Sequence, residues 1–173
     1  DKARALRDIH GVTLGEAMTK AGRTPEHLGV DPHLADRVGV YVELHVEQGR
    51  ALDLVDRPIA IASAIWPHGR WQFTFCGEAN HAGTTRLPDR RDPMLPFASS
   101  VHAARSLAAA HDAVATFGKV IVAPNGANAI PSSVSAWLDA RAADETTLRS
   151  LVDKITAEAR QHAAADGIEL GVT

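Results

Sequence analysis

The sequence predicts a mixed α+β fold, and three observations carry that expectation. Apolar residues switch between a spacing of two and a spacing of three to four, two long stretches carry helix start and stop signals, and the elements alternate in the order β-α-β-β-α-β. The 173 residues include 18 Lys and Arg against 21 Asp and Glu, and 45% are hydrophobic. A chain of this size buries roughly two-thirds of its unfolded surface, so a core needs no metal or disulfide staple. The net charge of -3 and a pI near 6.3 argue against a nucleic-acid binder or an anionic-membrane binder, since both need clustered positive charge. A single cysteine makes no internal disulfide and suits a reducing, cytoplasmic setting.

Taken in order, Thr13 and Glu16 form a capping box for a helix over residues 14–21, with Gly22 placed for a left-handed end. Thr24 and Pro25 start a short helical turn through His27. Residues 38–47 read as a valine-rich strand. The small apolar run 59–65 ends at Trp66-Pro67-His68-Gly69, which places a domain boundary between segments 1–66 and 67–173. The second segment opens with a strand over 71–77. A helix begins at Asp92-Pro93 and carries the stripe Met94, Phe97, Val101, Ala104 and Ala108. The uncharged stretch 120–138 is long enough to raise the question of a membrane span. Pro124, Asn125, Gly126, Asn128 and Pro131 break it, so it reads as parts of two strands (115–122 and 134–140) joined by a polar turn. Asp144 caps the last helix, whose stripe is Leu148, Leu151, Val152, Ile155 and Ala159, and Gly167 ends it before a strand over 168–172. Two helices on one face of a four-stranded antiparallel sheet is the ferredoxin-like split βαβ arrangement.

Chemistry concentrates in four places. In a strand, Glu43, His45 and Glu47 share one side, where carboxylates and an imidazole suit zinc or manganese; a solvated strand face is the alternative. His81 stands in a loop of small and polar residues, either presented to a substrate or merely on the surface. Asn125-Gly126 reads as turn geometry with positive φ, whereas Asn128 lies beyond the turn. Arg141 ends the strand before the last helix and offers a bidentate fork for a carboxylate, or pairs on the surface with Asp139 or Asp144. Cys76, among Phe73 and Phe75, is expected to be a buried small apolar residue.

Five segments, in order and spacing, resemble one family: Glu43-Leu44-His45-Val46-Glu47-Gln48-Gly49, Asn80-His81-Ala82-Gly83-Thr84-Thr85, Arg90-Arg91-Asp92, Pro124-Asn125 with Asn128-Ala129-Ile130-Pro131, and Asp139-Ala140-Arg141. They are similar to the amidase/hydantoinase/carbamoylase family of zinc aminoacylase-like metallohydrolases. The family includes N-carbamoyl-L-amino-acid hydrolases, β-ureidopropionases and allantoate amidohydrolases. The resemblance implies an enzyme with two divalent ions per subunit, zinc or manganese, that activate a bridging water and polarise a carbonyl. It implies that His45 is a metal ligand, that Gln48 hydrogen-bonds the substrate, and that Asn128 and Arg141 hold the substrate carboxylate. His81 would be the catalytic histidine of a lid domain, reaching the oxyanion from the partner subunit of a homodimer.

The same resemblance implies that residues 1–66 are part of an α/β metal-binding domain and 67–173 a complete lid and dimerisation domain. The chain would then be an internal slice of a longer enzyme, inactive by itself, because the remaining ligands and the catalytic glutamate lie elsewhere. Arg50 and Arg86-Leu87 depart from the family pattern, and these variants together with the stretch Thr116-Phe117-Gly118-Lys119 lean towards an allantoate-type or related ureido substrate. An aminoacylase or dipeptidase of the same architecture, and a non-catalytic ferredoxin-like dimerisation module, are the alternatives.

Overall fold

The computed structural model describes residues 2–173, and the chain divides into two units, Asp1–Ala60 and Ile61–Thr173. The division falls at Ala60, ahead of the boundary placed at 66. No helix among the described residues is long and apolar enough to cross a membrane.

The first unit holds short helices: α1 (Lys2–Ala5), α2 (Leu14–Lys20), a 3-10 turn (Pro25–His27), α3 (Leu34–Arg37) and α4 (Ala51–Leu54). The capping box at α2 is present in full. Thr13 Oγ1 accepts from the Glu16 amide at 3.1 Å while Glu16 Oε2 accepts from the Thr13 amide at 2.7 Å. Gly22 takes φ +68, as its end position requires.

The strand expected over 38–47 is not formed. That segment joins no ladder, and Val42, Leu44 and Val46 are 74%, 92% and 77% exposed. A strand exists only where a neighbour takes its amides and carbonyls, and no described residue supplies one here.

The second unit is built on a four-stranded antiparallel sheet of β1 (His68–Cys76), β3 (Val114–Ala123), β5 (Ser133–Arg141) and β6 (Glu169–Val172), in the order β3-β5-β1-β6. Two residues each from β2 (Asn80–His81) and β4 (Ala129–Ile130) make a small second sheet. Helices α5 (Met94–Ala110) and α6 (Glu145–Ala165) pack with the four-stranded sheet around one core. Along β5, Val134, Ala136, Leu138 and Ala140 are fully buried or nearly so and alternate with half-buried Ser133, Ser135, Trp137 and Asp139. Period-two alternation therefore gives one apolar face and one polar face.

Asp144 accepts from the Thr147 amide at 2.8 Å to start α6, and all five expected stripe residues are buried. The α5 stripe differs by one position. Ser100 is fully buried and donates its hydroxyl to the Pro96 carbonyl at 2.6 Å, whereas Val101 is 38% exposed. Back-bonding to the preceding turn satisfies the hydroxyl, so the small Ser100 tolerates the tight side of the helix.

Cys76 is exposed, which corrects the buried thiol expected from its apolar neighbours. Phe73 and Phe75 turn to the core, and the same alternation turns Cys76 to the polar face with Gln72 and Thr74. The turn after β3 runs through a cis Ala123–Pro124 peptide, and neither Asn125 nor Gly126 takes positive φ, contrary to expectation.

Gly77 closes β1 where three segments converge. Its amide donates to the Ser132 carbonyl at 2.8 Å, and the Glu78 amide donates to the Arg91 carbonyl at 2.9 Å. A Cβ on Gly77 would collide with the Arg91 carbonyl and lie 2.7 Å from Pro93 Cδ. Gly77→Ala is accordingly expected to lower the unfolding free energy by about 1–3 kcal/mol through overpacking. Leu151→Ala, at a fully buried site in α6, should cost about 2–5 kcal/mol through its cavity. Chemical denaturation measures both, and a wild-type midpoint for Gly77→Ala would contradict the close approach.

Candidate active-site residues

The five residues singled out from sequence fall in three places. His45 and Gln48 belong to the first unit. His45 Nε2 lies 2.5 Å from Glu43 Oε1, and Tyr41 donates its hydroxyl to Glu43 Oε2 at 2.9 Å. These bonds, the tyrosine's foremost, hold the Glu43 carboxyl below its usual range. Gln48 takes φ +58, an uncommon conformation for a residue other than glycine, and leads into α4.

Glu47 does not join His45. Its carboxylate turns the other way and accepts from the Ala51 amide at 2.5 Å and the Leu52 amide at 3.2 Å, anchoring the start of α4. The expected trio of Glu43, His45 and Glu47 is thus split. Among the described residues no group of three or more His, Cys, Asp or Glu side chains is placed to hold a metal ion. His45 and Glu43 offer two donors, fewer than the three protein ligands of an open catalytic zinc site. The residues present do not by themselves fit a metal centre.

His81 and Asn128 come together at the other site, in the second unit. Asn80 pairs with Ile130 and His81 with Ala129 across β2 and β4, and the Ala82 amide donates to the Asn128 carbonyl at 2.9 Å. The loop then folds around the histidine. The Thr85 amide and hydroxyl both donate to the His81 carbonyl, at 3.1 and 2.8 Å. Arg90, half-buried, donates from Nε to the Thr85 carbonyl at 3.0 Å and from Nη2 to the Ala82 carbonyl at 2.7 Å. This brace had no assigned role in the sequence, since a guanidinium aimed at backbone carbonyls leaves no mark on residue spacing. A cavity of about 320 Å³ beside it is lined by Ala82, Arg90, Asp92, Asn125, Gly126 and Ala129, among others.

The ring of His81 is oriented by its own loop. The Gly83 amide lies 3.1 Å from Nδ1 and can only donate, so Nδ1 accepts. In the neutral ring the proton therefore sits on Nε2. The site offers an imidazole N–H and an Asn128 carboxamide as neutral donors on one small scaffold, a combination suited to a carbonyl oxygen, an oxyanion or a carboxylate.

Arg141 is elsewhere. It ends β5 opposite His68, the first residue of β1, whereas the His81 and Asn128 loops lie beyond Ser133, at the other end of the same strand. Eight strand steps separate the two ends (141 minus 133), which is roughly 27 Å at the usual rise. Arg141 Nε donates to Asp139 Oδ1 at 3.1 Å, and Arg70 Nε donates to Asp139 Oδ2 at 3.1 Å. The surface pair anticipated as an alternative for Arg141 is present, with Asp139 and not Asp144. Arg141 first, and Arg70 with it, hold the Asp139 carboxyl below its usual range against the opposing push of burial. Arg70 was not singled out from sequence, because only strand register brings it opposite Asp139.

Comparison with known proteins gives the class. The chain is 38% identical to the N-carbamoyl-L-amino acid amidohydrolase of Geobacillus stearothermophilus over 141 residues, covering 81% of this chain and 34% of that protein. It is 31% identical to the allantoate amidohydrolase of Escherichia coli over 174 residues, covering 99% of this chain and 41% of that protein. A solved structure of an amidase of the hydantoinase/carbamoylase family from Burkholderia vietnamiensis superposes with a TM-score of 0.81 at 25% identity, over 99% of this chain and 41% of that one. No family model matches the chain. The relatives are amidohydrolases, and the fold is the α+β fold of that class. The chain belongs to the amidase/hydantoinase/carbamoylase family, spanning 34 to 41% of the length of these curated relatives.

The His81 geometry is directly checkable. Nitrogen-15 NMR of ring-labelled protein above the histidine titration is expected to show the Nε2–H tautomer for His81, because the Gly83 amide occupies Nδ1. A dominant Nδ1–H signal would contradict the loop geometry.

Proposed function

We propose that this chain is part of a metal-dependent amidohydrolase that cleaves linear C–N bonds of N-carbamoyl or ureido acids, and that its second unit is the ferredoxin-like lid and dimerisation domain. The names of the relatives support the reaction class. The strand order β3-β5-β1-β6 supports the lid assignment, since it is the split βαβ order read from the β6 side. In this reading His45 contributes one ligand to a centre of two divalent ions, zinc or manganese, whose other ligands come from outside this chain. Gln48 hydrogen-bonds the substrate. The cytoplasmic setting belongs to the same proposal.

One observation carries the division of labour in the second unit: β5 holds Arg141 at one end and the His81 and Asn128 loops beyond the other. A gap of roughly 27 Å is far longer than a carbamoyl amino acid. One copy of the chain therefore cannot close both groups on one substrate. In our reading, Arg141 of one subunit binds the carboxylate, and a second copy brings Asn128 to it and the His81 Nε2–H to the oxyanion that develops at the scissile carbonyl. The partner is thus a second copy of the same protein, and the ligand is a small molecule with a carboxylate and a ureido or carbamoyl group.

Complementation tests the trans arrangement in the full-length enzyme. His81→Ala and His45→Ala homodimers should each be nearly inactive, the first for want of the oxyanion donor and the second for want of a ligand. Mixed subunits should recover about a quarter of wild-type activity, because half the dimers are mixed and each has one intact site. Absence of recovery, with mixed dimers shown to form, would count against His81 acting across the interface.

A further inference from the structure

The polar face of the sheet carries an arrangement that the proposed mechanism leaves unused. Antiparallel register sets Arg70 of β1 directly opposite Asp139 of β5, and period two puts Arg141 on the same face of β5 two residues on. The two oxygens of Asp139 are divided between the two arginines. Oδ2 accepts from Arg70 Nε and Oδ1 from Arg141 Nε, both at 3.1 Å.

Both bonds use Nε, the inner nitrogen of the guanidinium. No other hydrogen bond to Arg141 is present among the described residues, so its two terminal amino groups remain free. Arg141 keeps half of its side chain exposed, whereas Asp139 is 29% exposed. The carboxylate thus acts as a partly sheltered anchor, with the free end of the arginine presented outwards. Asp139 also lines a cleft of about 410 Å³ with Arg70, Lys119 and Trp137, in which the Lys119 ammonium lies 4.4 Å from the Trp137 ring centre. The cleft is cationic, and its one carboxylate is already committed to two arginines.

We propose that Asp139 is the positioning residue for carboxylate recognition: by holding Arg141 at Nε it fixes the guanidinium as an end-on fork, with Arg70 bracing the other oxygen of Asp139. This rests on the reading of Arg141 as the residue that binds the substrate carboxylate. A guanidinium free to rotate about its stem meets a carboxylate in many poses, whereas one tethered at Nε keeps its two terminal amino groups in plane for a bidentate contact. The Asp139 carboxyl is held below its usual range, first by Arg141 and, against the opposing push of burial, by Arg70, which favours the charged form that the tether needs.

Asp139→Asn separates this role from a structural one. The carboxamide is isosteric but can accept from only one arginine, and its amino group then faces the Nε–H of the other. Steady-state kinetics of the full-length enzyme are measured on an N-carbamoyl amino acid and on its uncharged α-carboxamide in parallel. Asp139→Asn should lower kcat/KM for the carboxylate about tenfold, through KM, while the carboxamide stays within twofold. Arg70→Ala, which leaves the Arg141 bond intact, should cost the carboxylate two- to threefold. If Asp139→Asn does not fold, Asp139→Glu, which keeps the charge but moves the fork, should show the same selective loss.

Equal losses on both substrates would reduce Asp139 to a structural residue and overturn the inference. Arg141→Ala marks the other failure. If it lowers carboxylate selectivity and the Asp139 variants do not, the role of Arg141 stands and that of Asp139 falls. Should Arg141→Ala leave selectivity unchanged, the underlying reading of Arg141 fails and the inference with it.

Discussion

The antiparallel pairing of β1 with β5 is the constraint on which the second unit depends. All nine residues of each strand pair, from His68 with Arg141 to Cys76 with Ser133. A slip of β5 by one residue would move Val134, Ala136, Leu138 and Ala140 from the helices to solvent while Phe73 and Phe75 of β1 stayed inside, so burial fixes the register firmly. Once the register is fixed, so are the polar pairs on the opposite face. Arg70 meets Asp139 because Trp71 must meet Leu138 and Gly69 must meet Ala140. The core thereby sets the chemistry of the face it does not occupy.

The same ladder fixes a distance. A strand is a stiff spacer, and β5 places a guanidinium at one end while the loops that carry His81 and Asn128 emerge past the other. Each end is finished by local bonding. Arg90 and Thr85 tie the His81 loop through backbone carbonyls, and Asp139 ties Arg141 through Nε. Preorganised donors of this kind lose little freedom on binding. Their separation within one chain is what makes a two-subunit site the reading that the geometry favours.

Much of this architecture is legible in the sequence, and the exceptions have physical reasons. Helix α6 could be read residue by residue because its cap, its stripe and its terminating glycine are local signals. Three-to-four spacing places Val101 in the α5 stripe, but the helix buries Ser100 there instead and a bond to the Pro96 carbonyl satisfies its hydroxyl. The phenylalanine neighbours of Cys76 suggest burial, but strand alternation sends its side chain to the other, exposed face. The segment at Val42 to Val46 has a strand's composition and no strand's partner. His81 and Asn128 stood out through family resemblance, and their proximity is a property of the β2–β4 pairing. Arg90 stands in a family-like segment, but its bonds to the His81 loop, like the pairing of Arg70 with Asp139, come from contacts that spacing does not encode.

The central claim is that one substrate is held by two copies of this chain. A crystal structure of the full-length enzyme with a bound N-carbamoyl amino acid or product-like carboxylate tests it most directly. The expected result is a ligand whose carboxylate meets the Arg141 fork of one subunit while His81 and Asn128 reach the same ligand from the other. A ligand contacted by Arg141, His81 and Asn128 of a single subunit would contradict the account, because it would require β5 to bend its two ends together.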